Sequence, residues 1–318
     1  MFSIQTREIN ISIFNRLKPL TLTLARLARK FLDRAELSLS TQRSYEFTLM
    51  PLLAEYGAVP VEMITRQMLV DYLNRLSANL AITTHHRHQA IIQALFNYAI
   101  ETGALTSNPL TGLKPRPPNK DKGEHHTELT IRYLSDQQLT ALYELVAPDA
   151  RMHAIVRLLH RTGARIGELL AVDLAQVDIS SRKFPVVGKG NKYRWCFYSE
   201  DAAIALNDYV KFYREPSHPA LFTAQNQLTK QVTRLSYRRV HTCWSWLVAQ
   251  HPLLKGIRLH DLRHTFATER VGLMGIEELR ALMGHADIHT TLLYQKVTSH
   301  RAELVAQKAL NILTNTID

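Results

Sequence analysis

Residues 108–128 read NPLTGLKPRPPNKDKGEHHTE, with four prolines, a dense run of charges and almost no periodic apolar content. Proline has no amide hydrogen to donate and keeps the residue before it out of helical backbone, so such a stretch interrupts a packed core and reads as an extended linker. It divides the 318-residue chain in two, and 46% hydrophobic content is enough to bury a core on each side. The expected boundaries are a leader over 1–19, a helical domain over 20–107, a linker over 108–130 and a second domain over 131–318.

Before the linker, apolar residues recur at helical spacing in LTLARLARKFLDRA, STQRSYEFTLMPLLAEYG, TRQMLVDYLNRLS and TTHHRHQAIIQALFNYAIETG. Ser40 is the expected cap of the second of these and Gly57 its stop, and the last two are expected to open on threonine. The pattern predicts a bundle of four or five helices. After the linker, Ser135 and Gln138 form a capping-box pattern, Gly163 ends RMHAIVRLLHRTG, and RKFPVVGKGNKYRWCFYS alternates around a Gly-Lys-Gly-Asn turn as a hairpin does. Helical patterns resume from Glu200, broken at Pro216, Pro219 and Pro252, and Trp244 and Trp246 are expected in the core. The fold class is therefore mainly α: an all-helical N-terminal domain, then a mixed α/β domain that is mostly α with a small antiparallel sheet.

The formal charge of +11 favours an acidic partner, with nucleic acid the leading candidate. Cys196 and Cys243 make no disulfide framework, no Cys/His group has zinc spacing, and no apolar run reaches the roughly 18–20 residues that span a bilayer. A reducing cytoplasm, no membrane, no metal and no cofactor are the expectations. Adjacent His85, His86 and His88 splay around a helix, so a metal site there is disfavoured.

Four stretches are read jointly: TGARIGELL (162–170), VGKGNKYR (187–194), HDLRHTFAT (260–268) and GHADIHTTLLY (284–294). In order, Arg, Lys, His-x-x-Arg, Gly-His and Tyr resemble the tyrosine recombinase (phage integrase/Xer-like) family, which shares its catalytic arrangement with type IB topoisomerases. The resemblance extends over about 300 residues, and its C-terminal motifs are the specific part. It implies that Arg165 and Arg263 are the catalytic arginines, Lys189 the hairpin lysine, His260 the partner of Arg263, His285 the second histidine and Tyr294 the nucleophile. Lys192 is the alternative on the same turn. Glu168 is read either as an orienting carboxylate or as a surface one.

Physical chemistry supports that set independently. A phosphodiester under attack gathers negative charge on its nonbridging oxygens, and guanidiniums meet that charge with forked, charge-assisted hydrogen bonds. Residues 151–194 add nine Lys/Arg against three Asp/Glu around the motifs. By the resemblance, the N-terminal domain binds DNA and the reaction is cleavage and rejoining of duplex DNA through a 3′-phosphotyrosine, without metal or ATP. The implied partners are double-stranded recombination sites, a homo-tetramer linked through the C-terminal tail (298–318) with its apolar helical stripe, and an accessory or partner recombinase. A catalytically inactive DNA-binding relative and a type IB topoisomerase are the competing functions. Candidate DNA-reading residues are Thr41, Gln42, Arg43, His86, Arg87 and Gln89 in the first domain and Arg238 and Arg239 in the second.

Overall fold

The computed structural model describes residues 22–119, 131–188 and 192–297, together with Gln307. The chain forms two compact units, Met1–Glu128 and Leu129–Asp318. The described residues are mainly α, with two small antiparallel sheets.

Among the described residues the first unit is a bundle of four helices: α1 (Leu24–Leu32), α2 (Leu39–Tyr56), α3 (Arg66–Asn79) and α4 (Ile82–Glu101). Leu27 and Phe31 of α1, Leu49 and Leu52 of α2, Leu69 and Leu73 of α3, and Ile92, Leu95 and Phe96 of α4 share one core. Thr23 and Thr65 cap α1 and α3 through their hydroxyls. The cap of α2 is Ser38, not Ser40: its backbone is extended and its hydroxyl accepts from the Thr41 amide, which places Ser40 inside the first turn. The threonines expected to open α4 also lie inside it, after an Ala81 cap that offers no side-chain acceptor.

The segment expected to be linker from residue 108 begins as a strap on this bundle. Asn108 and Leu110 are buried, and Asn108 Nδ2 donates to the Gln93 carbonyl and to Asn97. On α4, Gln93 donates to the carbonyl of Leu110 and Gln89 to that of Leu113, while the His86 ring bonds that of Arg116. Three side chains one turn apart thus hold carbonyls three residues apart. Arg66 of α3 adds donors to the Pro109 and Thr111 carbonyls. A proline-rich segment can be held this way because its carbonyls, unlike its missing amides, still need partners.

The second unit packs α5 (Asp136–Val146), α6 (Ala150–Thr162) and α7 (Ile166–Ala171), then the hairpin β1 (Lys183–Val187) and β2 (Tyr193–Phe197), then α8 (Glu200–Asp208). β1 and β2 pair with Phe184 opposite Cys196, and both side chains enter the core. The capping box of Ser135 with Gln138 is present. A second hairpin, β3 (Thr223–Gln225) and β4 (Val232–Arg234), corrects the expectation of helices alone after Glu200. Its strands are three residues each, too short for an alternation signal, and its turn is closed by Asn226, whose side chain accepts from the Leu228 and Thr229 amides. Then come α9 (Tyr237–Ala249), α10 (Leu259–Arg270), α11 (Ile276–Met283) and the short α12 (Ile288–Leu292), which runs into a 3₁₀ turn over Leu293–Val297.

Trp244 is core, and its indole donates to the Ile257 carbonyl ahead of α10. Trp246 is not: it is 65% exposed, because two residues along α9 carry it to the opposite face from Trp244. No described helix is long and apolar enough to cross a membrane. The expected tail helix within 298–318 lies outside the described residues apart from Gln307.

The strap makes a direct prediction. Gln89→Ala deletes a buried donor and leaves the Leu113 carbonyl without it, so denaturant unfolding of the full chain should show a loss of about 1–2 kcal/mol. A change within about 0.5 kcal/mol would mean that the strap is not held by α4.

Candidate active site

Arg263 is buried, 2% exposed and one turn into α10. Its two terminal nitrogens donate to the carbonyls of Gly163 and Met283. Those carbonyls lie at the C-termini of α6 and α11, and each helix ends on a glycine in the left-handed region, Gly163 at φ 64° and Gly284 at φ 64°. Helix C-termini carry partial negative charge and unpaired carbonyls, so the two helices offer the guanidinium the acceptors that burial removes. Among the described residues Arg263 has no carboxylate partner. Burial first, then the charges of Arg165 and Arg194, push it down to about 10, so it remains a cation at neutral pH.

Arg165 is brought beside it by the turn that leaves Gly163 and caps α7. The Arg165 amide donates to Glu168 Oε2 at 2.8 Å and its Nη1 donates to Oε1 at 2.8 Å. Glu168 also receives two donors from Arg194 of β2, at 3.1 and 2.7 Å. The Glu168 and Arg194 side chains are only 8% and 9% exposed. Burial would raise the Glu168 carboxyl, but the Arg194 and Arg165 bonds and charges outweigh it and hold the group at about 2. Glu168 is therefore the orienting carboxylate and not the surface one. Arg194 Nε reaches onward to the Leu282 carbonyl, and its guanidinium fills the space beside Gly284, where an added Cβ would stand 2.9 Å from Nη1. Two guanidiniums meet one carboxylate here and Arg263 adds a third cation without one, which leaves two positive charges in excess.

The histidines and the tyrosine close the site. His260 and His264, one turn apart on α10, pack edge to face with ring centroids 4.7 Å apart. His285 is buried, shares a hydrogen bond between Nδ1 and Thr291 Oγ1 at 2.9 Å, and lies parallel to the Tyr294 ring at 6.4 Å. Tyr294 is 3% exposed and its hydroxyl meets His264 Nδ1 at 2.9 Å. Burial first, then Arg263 and Arg165, push His285 down to about 4. Desolvation first, then His264, Arg263 and Arg165, push His260 down to about 4, although the residue as a whole is exposed. Burial pushes the Tyr294 hydroxyl up, and the two arginines oppose the rise.

Five of the six residues singled out in the sequence, Arg165, His260, Arg263, His285 and Tyr294, thus belong to one site, and Lys189 lies outside the described residues. Lys192 is exposed, and its carbonyl closes the hairpin by accepting from Gly188. Arg194 and His264 were missed. Arg194 could have been found from the strand period, which turns it inward between exposed Tyr193 and Trp195. His264 could have been found as the residue four after His260. A cleft of about 520 Å³ opens beside Arg165, His260 and Arg263 and runs along α9 past Tyr237 and His241 to Lys255 and Arg258. Arg238 and Arg239 are exposed on the same first turn of α9 without lining it.

In the first unit, the two candidate reading sets meet at a smaller cleft of about 350 Å³ between α2 and α4, lined by Arg43, Phe47, Arg87 and His88. Arg43 and Arg87 are exposed there, and Thr41 and Gln42 are half-buried. Gln89 does not belong with them: it is buried and spent on the strap, and His86 is turned to the same strap.

The phage integrase family model matches residues 132–301, and that of the phage integrase central domain matches residues 24–116. The tyrosine recombinase XerC of Herpetosiphon aurantiacus is 30% identical over 258 residues, covering 77% of this chain and 80% of that protein. XerC of Vibrio vulnificus is 27% identical over 292 residues, covering 86% and 87%. Among solved structures, the Tn1549 transposon integrase in complex with circular intermediate DNA shares the fold at a TM-score of 0.67 and 22% identity, covering 86% of this chain and 94% of that one. XerH bound to its palindromic difH substrate does so at 0.67 and 19%, covering 89% and 84%.

Two predictions follow from the site itself. Glu168→Gln removes the anion from between two guanidiniums, and denaturant unfolding should show a loss of roughly 3 kcal/mol. A loss under about 1 kcal/mol would mean that Arg165 and Arg194 do not depend on it. His285 stays neutral down to about 4 when folded, against 6.5 ordinarily, so the unfolded chain takes up the proton first. The stability tied to its neutral form is complete above about pH 6.5 and is lost as pH falls toward 4. From pH 6.5 to 5 the drop should be shallower in His285→Gln than in wild type by roughly 1–2 kcal/mol, and parallel curves would count against it.

Proposed function

This chain belongs to the phage integrase family, the tyrosine recombinases, enzymes that break and rejoin DNA, and from that premise we propose that it is a site-specific recombinase working through a 3′-phosphotyrosine intermediate. The observation that carries this is the grouping of Tyr294 with Arg165, Arg263, His260 and His285 in one strongly cationic site. The guanidiniums take the nonbridging oxygens of the scissile phosphate, where preorganised donors act on charge as it develops, each worth on the order of 3 kcal/mol. Tyr294 Oη attacks phosphorus, the P–O5′ bond breaks, and Lys189 gives a proton to the departing 5′ oxygen. The tyrosyl ester conserves the energy of the phosphodiester, so a 5′ hydroxyl can reverse the step without ATP. The arginines and the lysine supply the charge that a metal would otherwise bring.

Double-stranded recombination sites are the partner in this reading. Exposed Arg43 and Arg87, with Phe47 between α2 and α4, make the first unit's contact, and Arg238 and Arg239 add to that of the second. Phosphate contacts of this kind give affinity that falls steeply with salt. Exchange between two sites calls for a tetramer, joined through the tail beyond residue 297, and for an accessory or partner recombinase where sites differ. The setting is cytoplasmic; two unpaired cysteines suit a reducing compartment.

The test uses a duplex selected for binding and nicked next to the cleavage position, so that the short fragment leaves and the intermediate accumulates. Wild type should give a covalent protein–DNA species on a denaturing gel. Tyr294→Phe should bind the same duplex equally well and lose the adduct by roughly 10⁴-fold or more. Normal adduct yield from Tyr294→Phe would overturn the nucleophile, and tight binding with no adduct from wild type would overturn the cleavage chemistry.

A further inference from the structure

The Tyr294 hydroxyl sits away from bulk water and must lose a proton to become a nucleophile. Among the described hydrogen bonds its one partner is His264, with Nδ1 2.9 Å from Oη. The other two histidines are committed differently: His285 Nδ1 is held by Thr291, and His260 lies on the solvent side, edge to face against His264 and lining the cleft. We propose that His264 is the proton acceptor for Tyr294, a catalytic residue one position beyond Arg263. This rests on the recombinase reading above and adds to it.

The step balances as follows. The Tyr294 O–H bond breaks and its proton passes to His264 Nδ1, with the ring's other proton on Nε2. Oη forms its bond to phosphorus as the P–O5′ bond breaks, and the 5′ oxygen takes a proton from Lys189. In rejoining, the 5′ hydroxyl returns its proton to Lys189 and attacks phosphorus, and Oη leaves with the proton held on Nδ1. Burial, with the Arg258 and Arg263 charges, holds the His264 imidazole below its usual range against the pull of Asp261, so the ring is neutral and its lone pair free at neutral pH. The position also explains an economy of the fold: one turn of α10 supplies both the phosphate receptor, Arg263, and the base for the group that attacks it. Arg263 fixes α10 to two other helices, so the base is fixed by the same bonds.

The experiment uses the nicked duplex and the full chain, with His264→Ala and His264→Asn, each carrying either tyrosine or a ring-fluorinated tyrosine of lower pKa at position 294. Asparagine keeps an acceptor oxygen about where Nδ1 stands but cannot take the proton at neutral pH. Both variants should bind the duplex and unfold as wild type does, yet cleave roughly 10²–10⁴-fold more slowly. The fluorinated nucleophile should restore about tenfold or more of that loss in the His264 variants and none in Lys189→Ala, where the defect is on the leaving oxygen. Cleavage by His264→Asn within about threefold of wild type would reduce His264 to a positioning partner and overturn the proposal. An unrescued loss in a folded, DNA-binding His264→Ala would overturn it as well. Absence of an adduct from wild type would instead overturn the recombinase chemistry on which the proposal stands, so the two failures are told apart in one gel.

Discussion

A buried guanidinium without a carboxylate is the constraint around which the second unit is arranged. Hydrogen bonds to a charged group are worth roughly 1.5–3 kcal/mol each, and burying such a charge with none would be prohibitive. Arg263 meets the requirement with two backbone carbonyls, one at the end of α6 and one at the end of α11. A carboxylate in their place would satisfy the cation and also cancel it. Carbonyl dipoles satisfy it and leave its charge to act on an incoming anion. Each helix has to stop at a set point for this to work, and the left-handed glycines provide the stops. At Gly163 a side chain is excluded twice, by backbone conformation and by the Phe266 ring, which an added Cβ would meet at 2.4 Å.

Glu168 completes the arrangement from the other side. It is anionic because two arginines hold it so, and it sets Arg165 and Arg194 at fixed separation. Arg194 passes that order from β2 to the end of α11, next to Gly284 and His285. The hairpin of β1 and β2 is thereby joined to the helix end that carries His285. Of the three guanidiniums, Arg194 faces protein on every described contact, which suits a structural role; Arg165 and Arg263 line the cleft.

The elements were legible where local chemistry decides them. Helices with strong apolar stripes, the Ser135 box, the Gly163 stop and the hairpin of alternating residues all follow from short-range rules. Ser38, the three-residue strands and the strap were not legible, because each depends on partners elsewhere in the chain. Nothing in LTGLKPRP announces that Gln93, Gln89 and His86 will grip its carbonyls, and the same polar face of α4 looked free for DNA. The motif residues of the site were visible as a pattern, since Arg, His-x-x-Arg, Gly-His and Tyr keep their order in the sequence. Their support was less visible: a buried Arg194 looks on paper like another basic residue in a basic chain.

The cage around Arg263 also bears on the order in which the protein comes into being. Its two acceptors lie 100 and 20 positions from it along the chain. Closing a loop of a hundred residues is entropically costly and occurs late relative to local helices, so a chain emerging from synthesis can form its basic helices before the cage around Arg263 closes. The residue that supplies the last carbonyl, Met283, precedes Tyr294 by only eleven positions. A site built on Arg263 therefore waits for nearly the whole unit to fold, whereas individual basic helices do not.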